Sequence, residues 1–230
     1  DPKDPRTVWA GTGEPWTRNS VSLGDGIYKT TDGGDTWTNM GLKESERIAK
    51  ILIDPVNTNT VYACVTGKLW SDSDDRGVFK TTDGGKAWMK VLAGSNASTG
   101  CSLMTMDTSA PGTLYAGMWD FRRTGWSFRS GGDGPDAPSG SGMFKSLDGG
   151  ATWASLDDKT TKGLPAKPWG RVAVTVAPVA RSIDTARQPP SRKRRSTACS
   201  PSAVMRDYGL PKPPFGPQVS PGSSMSCRSP

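Results

Sequence analysis

Three stretches of this 230-residue chain collect the side chains that can do chemistry. Residues 11–26 carry Glu14, Trp16, Arg18 and Asp25. Residues 66–77 carry Trp70, Asp72, Asp74, Asp75 and Arg76, and residues 117–142 carry Trp119, Asp120, Arg122, Arg123, Trp126 and Arg129. An indole stacks on the apolar face of a sugar ring while carboxylates and guanidinium groups bond its hydroxyls, and the same set suits a peptide terminus. Trp16, Arg18, Trp70, Trp119, Arg122, Arg123 and Trp126 are therefore the candidate ligand-binding residues. Glycosidic hydrolysis would need two carboxyl groups facing each other at roughly 5–9.5 Å. Glu14 and Asp120 are the candidate catalytic residues, with the Asp72, Asp74 and Asp75 group beside them. Each has a structural alternative, in which Trp119 and Trp126 pin a long loop and the aspartates cap turns.

Composition removes several classes of function. The chain has no His, so His triads, His zinc sites and His general bases are absent. Its four Cys lack a C-x-x-C spacing, and no metal or cofactor is expected. Cys64 and Cys101 fit either a disulfide or two buried thiols. The net charge of +7 looks like a nucleic-acid signal, yet residues 179–230 alone hold nine Lys/Arg against Asp184 and Asp207. Residues 1–178 are neutral, so no nucleic-acid partner is expected of the folded part. No apolar run approaches the roughly 20 residues of a membrane span, and no signal segment opens the sequence. Asn96-Ala97-Ser98 fits a glycosylation triplet, a pattern that also arises by chance.

The elements that position these stretches come from a repeat. TTDGGDTW at 30–37, TTDGGKAW at 81–88 and SLDGGATW at 146–153 are three copies of one string. A second string keeps a period of 53: Val8-Trp9-Ala10-Gly11, Val61-Tyr62-Ala63 and Leu114-Tyr115-Ala116-Gly117. The third box arrives late, which places an insertion within residues 119–142. Inside one period the apolar residues alternate as in strands, predicted at 48–53, 60–65, 77–81 and 87–92. Four antiparallel strands per ~50 residues describe a propeller blade, and the predicted fold is all-β, with about three such blades. Each DGG is a tight hairpin in which Gly accepts positive φ and Asp32, Asp83 or Asp148 takes bonds from the turn. Trp37, Trp88 and Trp153 are expected to pack beneath it. The three aspartates are thus structural, one per blade, and not a metal set.

On these residues the chain resembles the Asp-box, or BNR-repeat, propellers of sialidases, sortilin-type receptors and xyloglucan-degrading glycoside hydrolases. Box two departs only at Ala87, where Thr is usual. The longer strings GDGIYKTTDGGDTW, RGVFKTTDGGKAW, MWDFRRTGWSFRSGG and GLPAKPWGRVAV resemble the bacterial sortilin/VPS10-like and glycosyl-hydrolase-like members more than sialidases. A sialidase would add a nucleophilic Tyr, and none accompanies Arg122 and Arg123. The resemblance implies an exported protein, extracellular or periplasmic, binding an extended glycan or peptide on its loop face, or alternatively a polysaccharide-degrading glycoside hydrolase of xyloglucanase type.

It covers residues 1–178. Residues 179–230, with ten Ser and nine Pro, read as a disordered basic tail or as a fourth blade out of frame. Back-translation two bases on permits LFAERRDAGLW, which has the shape of YKTTDGGDTW. Three blades do not close a ring, so the remaining blades of a longer propeller are the expected partners. The start of the chain falls after the first strand of one blade, and strand alternation ends at 172–178.

Overall fold

The computed structural model describes residues 1–132 and 138–177. The chain divides into a unit Asp1–Arg181 and a unit Ser182–Pro230. The expectations for residues 179–230 lie outside the described residues.

The architecture is all-β, built from three antiparallel sheets stacked as propeller-like blades. The first sheet orders β1 (Val8–Gly11), β2 (Ile27–Thr30) and β3 (Thr38–Asn39). The second orders β4 (Ile48–Ile53), β5 (Val61–Val65), β6 (Gly77–Thr81) and β7 (Met89–Leu92), close to the four predicted strands. The third contains β8 (Thr99–Met106), β9 (Leu114–Arg123), β11 (Gly142–Ser146) and β12 (Ala154–Leu156), with β10 (Phe128–Ser130) added on the far end of β9. The insertion before the third box is thus an overlong hairpin, Phe128 to Ser130 pairing back on Arg123 to Phe121. The sole helical turn among the described residues is a 3-10 turn at Lys43–Ser45.

The cores lie between successive sheets, as the two-faced burial of Val61-Tyr62-Ala63-Cys64-Val65 requires. Ile27, Ile48, Ala63 and Val65 join Trp9, Phe79 and Trp88 between the first two sheets. Tyr62, Val78, Met104, Leu114, Ala116 and Met118 fill the space between the second and third. There Cys64 of β5 and Cys101 of β8 form a disulfide with both residues fully buried, which answers the pairing that sequence left open. Residues 172–177 alternate between half-buried and exposed but carry no ladder, so the expected start of a fourth sheet is a single unpaired run among the described residues.

The DGG hairpins join β2 to β3, β6 to β7 and β11 to β12. The Thr30 hydroxyl donates to Asp32 (2.6 Å) and accepts from Gly34 N–H (3.1 Å), while Asp32 accepts from the Thr36 N–H (3.0 Å) and hydroxyl (2.5 Å). Ser146, Asp148, Gly150 and Thr152 repeat the pattern within 2.6–2.9 Å. Gly33 (φ 85°) and Gly34 (φ 111°) occupy the left-handed region the turn demands. At the second box Ala87 has no hydroxyl to give, and Asp83 accepts backbone N–H groups of Lys86 (2.9 Å) and Ala87 (3.1 Å) instead. Trp37 departs from expectation: it is 44% exposed, its indole N–H bonded to Gly34 O of its own turn. Trp88 reaches back to the first sheet, donating to Met40 O (2.8 Å) and meeting Trp9 edge-on at 6.2 Å.

Candidate functional site

The connections β1–β2, β5–β6 and β9–β11 leave each sheet at the end opposite the DGG turns. Residues 12–26, 66–76, 124–132 and 138–141 therefore share one face, and side chains bind them into a single assembly. Arg76 is the central tie. Fully enclosed, its guanidinium donates to the carbonyls of Thr66 (3.3 Å), Ser98 (2.9 Å), Ser71 (3.1 Å) and Lys68, and it covers the Phe121 ring at 4.6 Å. Burial lowers its pKa to about 10, which leaves it a cation at neutral pH. Gly67 (φ 83°) makes this approach feasible, since a Cβ there would stand 2.3 Å from Arg76 Cγ. Below the loops Leu69, Trp119 and Phe121 are buried against Val21 and Phe128.

An aromatic and cationic stack stands on this base. The guanidinium of Arg171 lies 5.3 Å from the Trp16 ring centre and 5.7 Å from that of Trp119. Trp16 is 56% exposed and Trp119 is 5% exposed, so the first offers a free face and the second anchors it. Trp119 is held by Phe121 (4.8 Å), Phe128 (5.7 Å) and an N–H donated to the Ser130 hydroxyl (2.8 Å). Arg123 bonds the Asn19 side-chain carbonyl, sits 5.7 Å from Phe128 and donates its backbone N–H to Leu69 O, joining all three loops. Arg122 pairs with Asp72. Trp70 is exposed, and Trp126 is 102% exposed at the hairpin tip, in a turn closed by Thr124 and Ser127 (2.7 Å).

The two candidate catalytic carboxylates have different surroundings. Glu14 pairs with Arg18 at 2.5 Å and accepts from Ser22 N–H, and these bonds hold its pKa below the ordinary glutamate value. Asp120 is 0% exposed. Burial alone would raise its pKa. The opposing donors are Gly140 N–H (3.0 Å), Ser98 hydroxyl (2.7 Å), Asn96 amide (2.9 Å) and the Arg129 guanidinium (3.2 Å), and together they hold it below the usual aspartate value. It therefore stays ionised and locks the hairpin base to the loop before β8. The Asn96 amide that a glycosylation triplet would offer is spent on this bond.

Two clefts flank the hairpin. One of about 400 Å³ is lined by Asp72, Asn96, Ser98, Asp120, Arg122 and Arg129. The other, about 460 Å³, is lined by Ser130, Ser139, Ser141, Lys167, Pro168 and Trp169. Among the described residues no group of three or more Cys, Asp or Glu is placed to hold a metal ion, and no helix is long and apolar enough to cross a membrane.

Sequence alone does not mark Lys167, Trp169 and Arg171 as site residues, although they lie within the GLPAKPWGRVAV string. The available signal was position. They precede a run that repeats β4, and connections from a fourth strand to the next first strand open on this same face.

No protein-family model matches the chain. It is similar to a probable oligoxyloglucan-reducing end-specific xyloglucanase of Neosartorya fischeri, at 27% identity over 166 residues, which is 69% of this chain and 16% of that protein. It is also similar to a xyloglucanase of a Paenibacillus species, at 24% identity over 196 residues, 72% of this chain and 16% of that protein. The chain thus spans about one sixth of the length of these relatives. Among solved structures it overlaps an ancestral GH74 enzyme (TM-score 0.46, 17% identity, 68% of this chain and 17% of that one). It also overlaps the GH74 xyloglucanase of Xanthomonas campestris (TM-score 0.45, 17% identity, 74% of this chain and 22% of that one).

Proposed function

We propose that this chain is the sugar-holding part of an exported, Asp-box type propeller that acts on xyloglucan or a related β-glucan. The observation that carries the reading is the stack of exposed Trp16 on Arg171 and anchored Trp119, on a loop face where Arg122, Arg123, Trp70 and Trp126 also gather. A flat exposed indole backed by a guanidinium suits the apolar face of a pyranose, with polar groups around it for the hydroxyls. Similarity to two xyloglucanases supports the choice of glycan over peptide. Hydrolysis is assigned to the complete enzyme. Glu14 and Asp120 are each committed to a cation here, and a reacting carboxyl pair needs a second wall across the cleft. Export is supported by the buried Cys64–Cys101 disulfide, a bond that persists in oxidising compartments.

The test is calorimetric titration of the chain with xyloglucan oligosaccharides, cello-oligosaccharides and a mixed peptide pool. Xyloglucan binding that falls at least tenfold in Trp16→Ala, with the melting temperature unchanged, is the expected result. Binding of peptides but not glycans, or full affinity in Trp16→Ala, would overturn it.

A further inference from the structure

The cations of the loop face differ in what they hold. Arg18 is paired with Glu14, Arg47 with Glu46, Arg122 with Asp72 and Arg129 with Asp120. Arg76 and Arg123 spend donors on neutral oxygens, those of the loop carbonyls and of the Asn19 side chain. Arg171 differs from all of these. It is exposed, and among the described residues its guanidinium makes no hydrogen bond and no ion pair. Two indoles hold it, Trp16 at 5.3 Å and Trp119 at 5.7 Å. An aromatic face attracts a cation but is no strong acceptor, so the five N–H donors of the guanidinium fork stay unspent.

The backbone sets Arg171 down beside the anchor of the stack. A Cβ on Gly170 would stand 3.3 Å from the Ser130 hydroxyl, the same group that accepts from the Trp119 N–H. Ser130 also lines the cleft of about 460 Å³, together with Ser139, Ser141, Lys167 and Trp169. Lys167 lies 5.6 Å from the Trp169 ring centre and, among the described residues, bonds no carboxylate; Asp157 feels its charge from farther off. One corner of the loop face thus combines an exposed indole, serine hydroxyls and two cations without a bonded carboxylate.

A sugar hydroxyl is served by any single donor, whereas a carboxylate matches the planar fork with two parallel bonds. We propose that this corner recognises a carboxylate-bearing sugar, a uronate next to the pyranose stacked on Trp16, with Arg171 as the specificity-determining residue and Lys167 as a second positive charge. The inference rests on the reading of Trp16 as a sugar platform and adds the charge of the sugar. The two indoles restrict the fork before the ligand arrives, which lowers the ordering cost of binding, and no resident carboxylate has to be displaced.

The test is calorimetric titration of the whole chain with three probes: a cello-oligosaccharide, the same oligosaccharide with its exocyclic hydroxymethyl groups oxidised to carboxylates, and the methyl ester of the oxidised form. The oxidised probe should bind about tenfold more tightly than the neutral one, and esterification should remove that gain. Arg171→Met, which keeps a side chain against Trp16, should abolish the gain and leave neutral binding in place. Arg171→Lys should keep a part of it, and Trp16→Ala should weaken all three probes. Equal binding of the three probes, lost in Trp16→Ala, overturns the acidic preference and leaves the sugar platform standing. A gain that survives in Arg171→Met belongs to the basic residues 179–230 and also overturns it. Binding of none of the probes, or tighter binding of an oligoglutamate peptide than of the oxidised probe, overturns both readings.

Discussion

The DGG aspartates act through hydrogen bonds that their ionised form accepts more strongly than the protonated one. The hydroxyl and N–H of Thr152, with the Ser146 hydroxyl, bring Asp148 down to about 2 from an ordinary 3.8. Asp32 is lowered by Thr30 and Thr36, and Asp83 chiefly by Thr81 and the Ala87 N–H. A carboxyl whose folded value is depressed contributes stability above its unfolded value and loses it as pH falls through the folded one. The melting temperature should therefore hold above pH 5 and decline between about pH 4 and pH 2, and Asp148→Asn should flatten part of that decline in thermal melts. The indoles separate differently. Trp119→Ala removes the floor of the hairpin and should destabilise by about 3–5 kcal/mol. Trp126→Ala should leave chemical denaturation unchanged, because its ring touches solvent on every side. Equal losses from both variants would contradict this assignment.

At the level of elements, the strands and turns were legible because each repeats. Alternation fixed β4 to β7 almost to the residue, and Gly33-Gly34 and its two copies marked the hairpins. The site was less legible because its state depends on partners far along the chain. Trp119 and Trp126 look alike in sequence. Trp119 lies within β9 where both faces are buried, with Phe121 on its own face, while Trp126 falls in the turn. Asp120 reads as a free carboxylate until Asn96 and Gly140 N–H close on it from 24 and 20 residues away. The Cys64–Cys101 bond was equally hidden, since its reason is spatial: it replaces the Gly11–Ile48 type of contact between neighbouring sheets. It spans 37 residues, and by loop entropy Cys64→Ser/Cys101→Ser should cost about 3–4 kcal/mol in denaturant titrations, an amount the wild type should lose on adding reductant. No change in either experiment would mean that the thiols are unpaired in solution.

At the scale of the stacked sheets, packing is by their faces while the loops on one end carry the proposed ligand site. Stability and binding should therefore separate cleanly: variants in the DGG turns alter melting, and variants at Trp16 alter affinity. The two intersheet boundaries are not equivalent. One is held without a covalent bond, by packing through Gly11, Ile48, Trp9 and Trp88 and by hydrogen bonds such as Trp88 to Met40 O; the other is also bonded covalently. Under tension this asymmetry decides where the stack of sheets yields. Pulled from its ends in an optical trap, the chain should part first between β1 and β4, extending by the length of one blade. The second and third blades should stay together as a single link until the sulfur bridge is reduced, which makes the disulfide a mechanical fuse rating and not merely a contribution to melting.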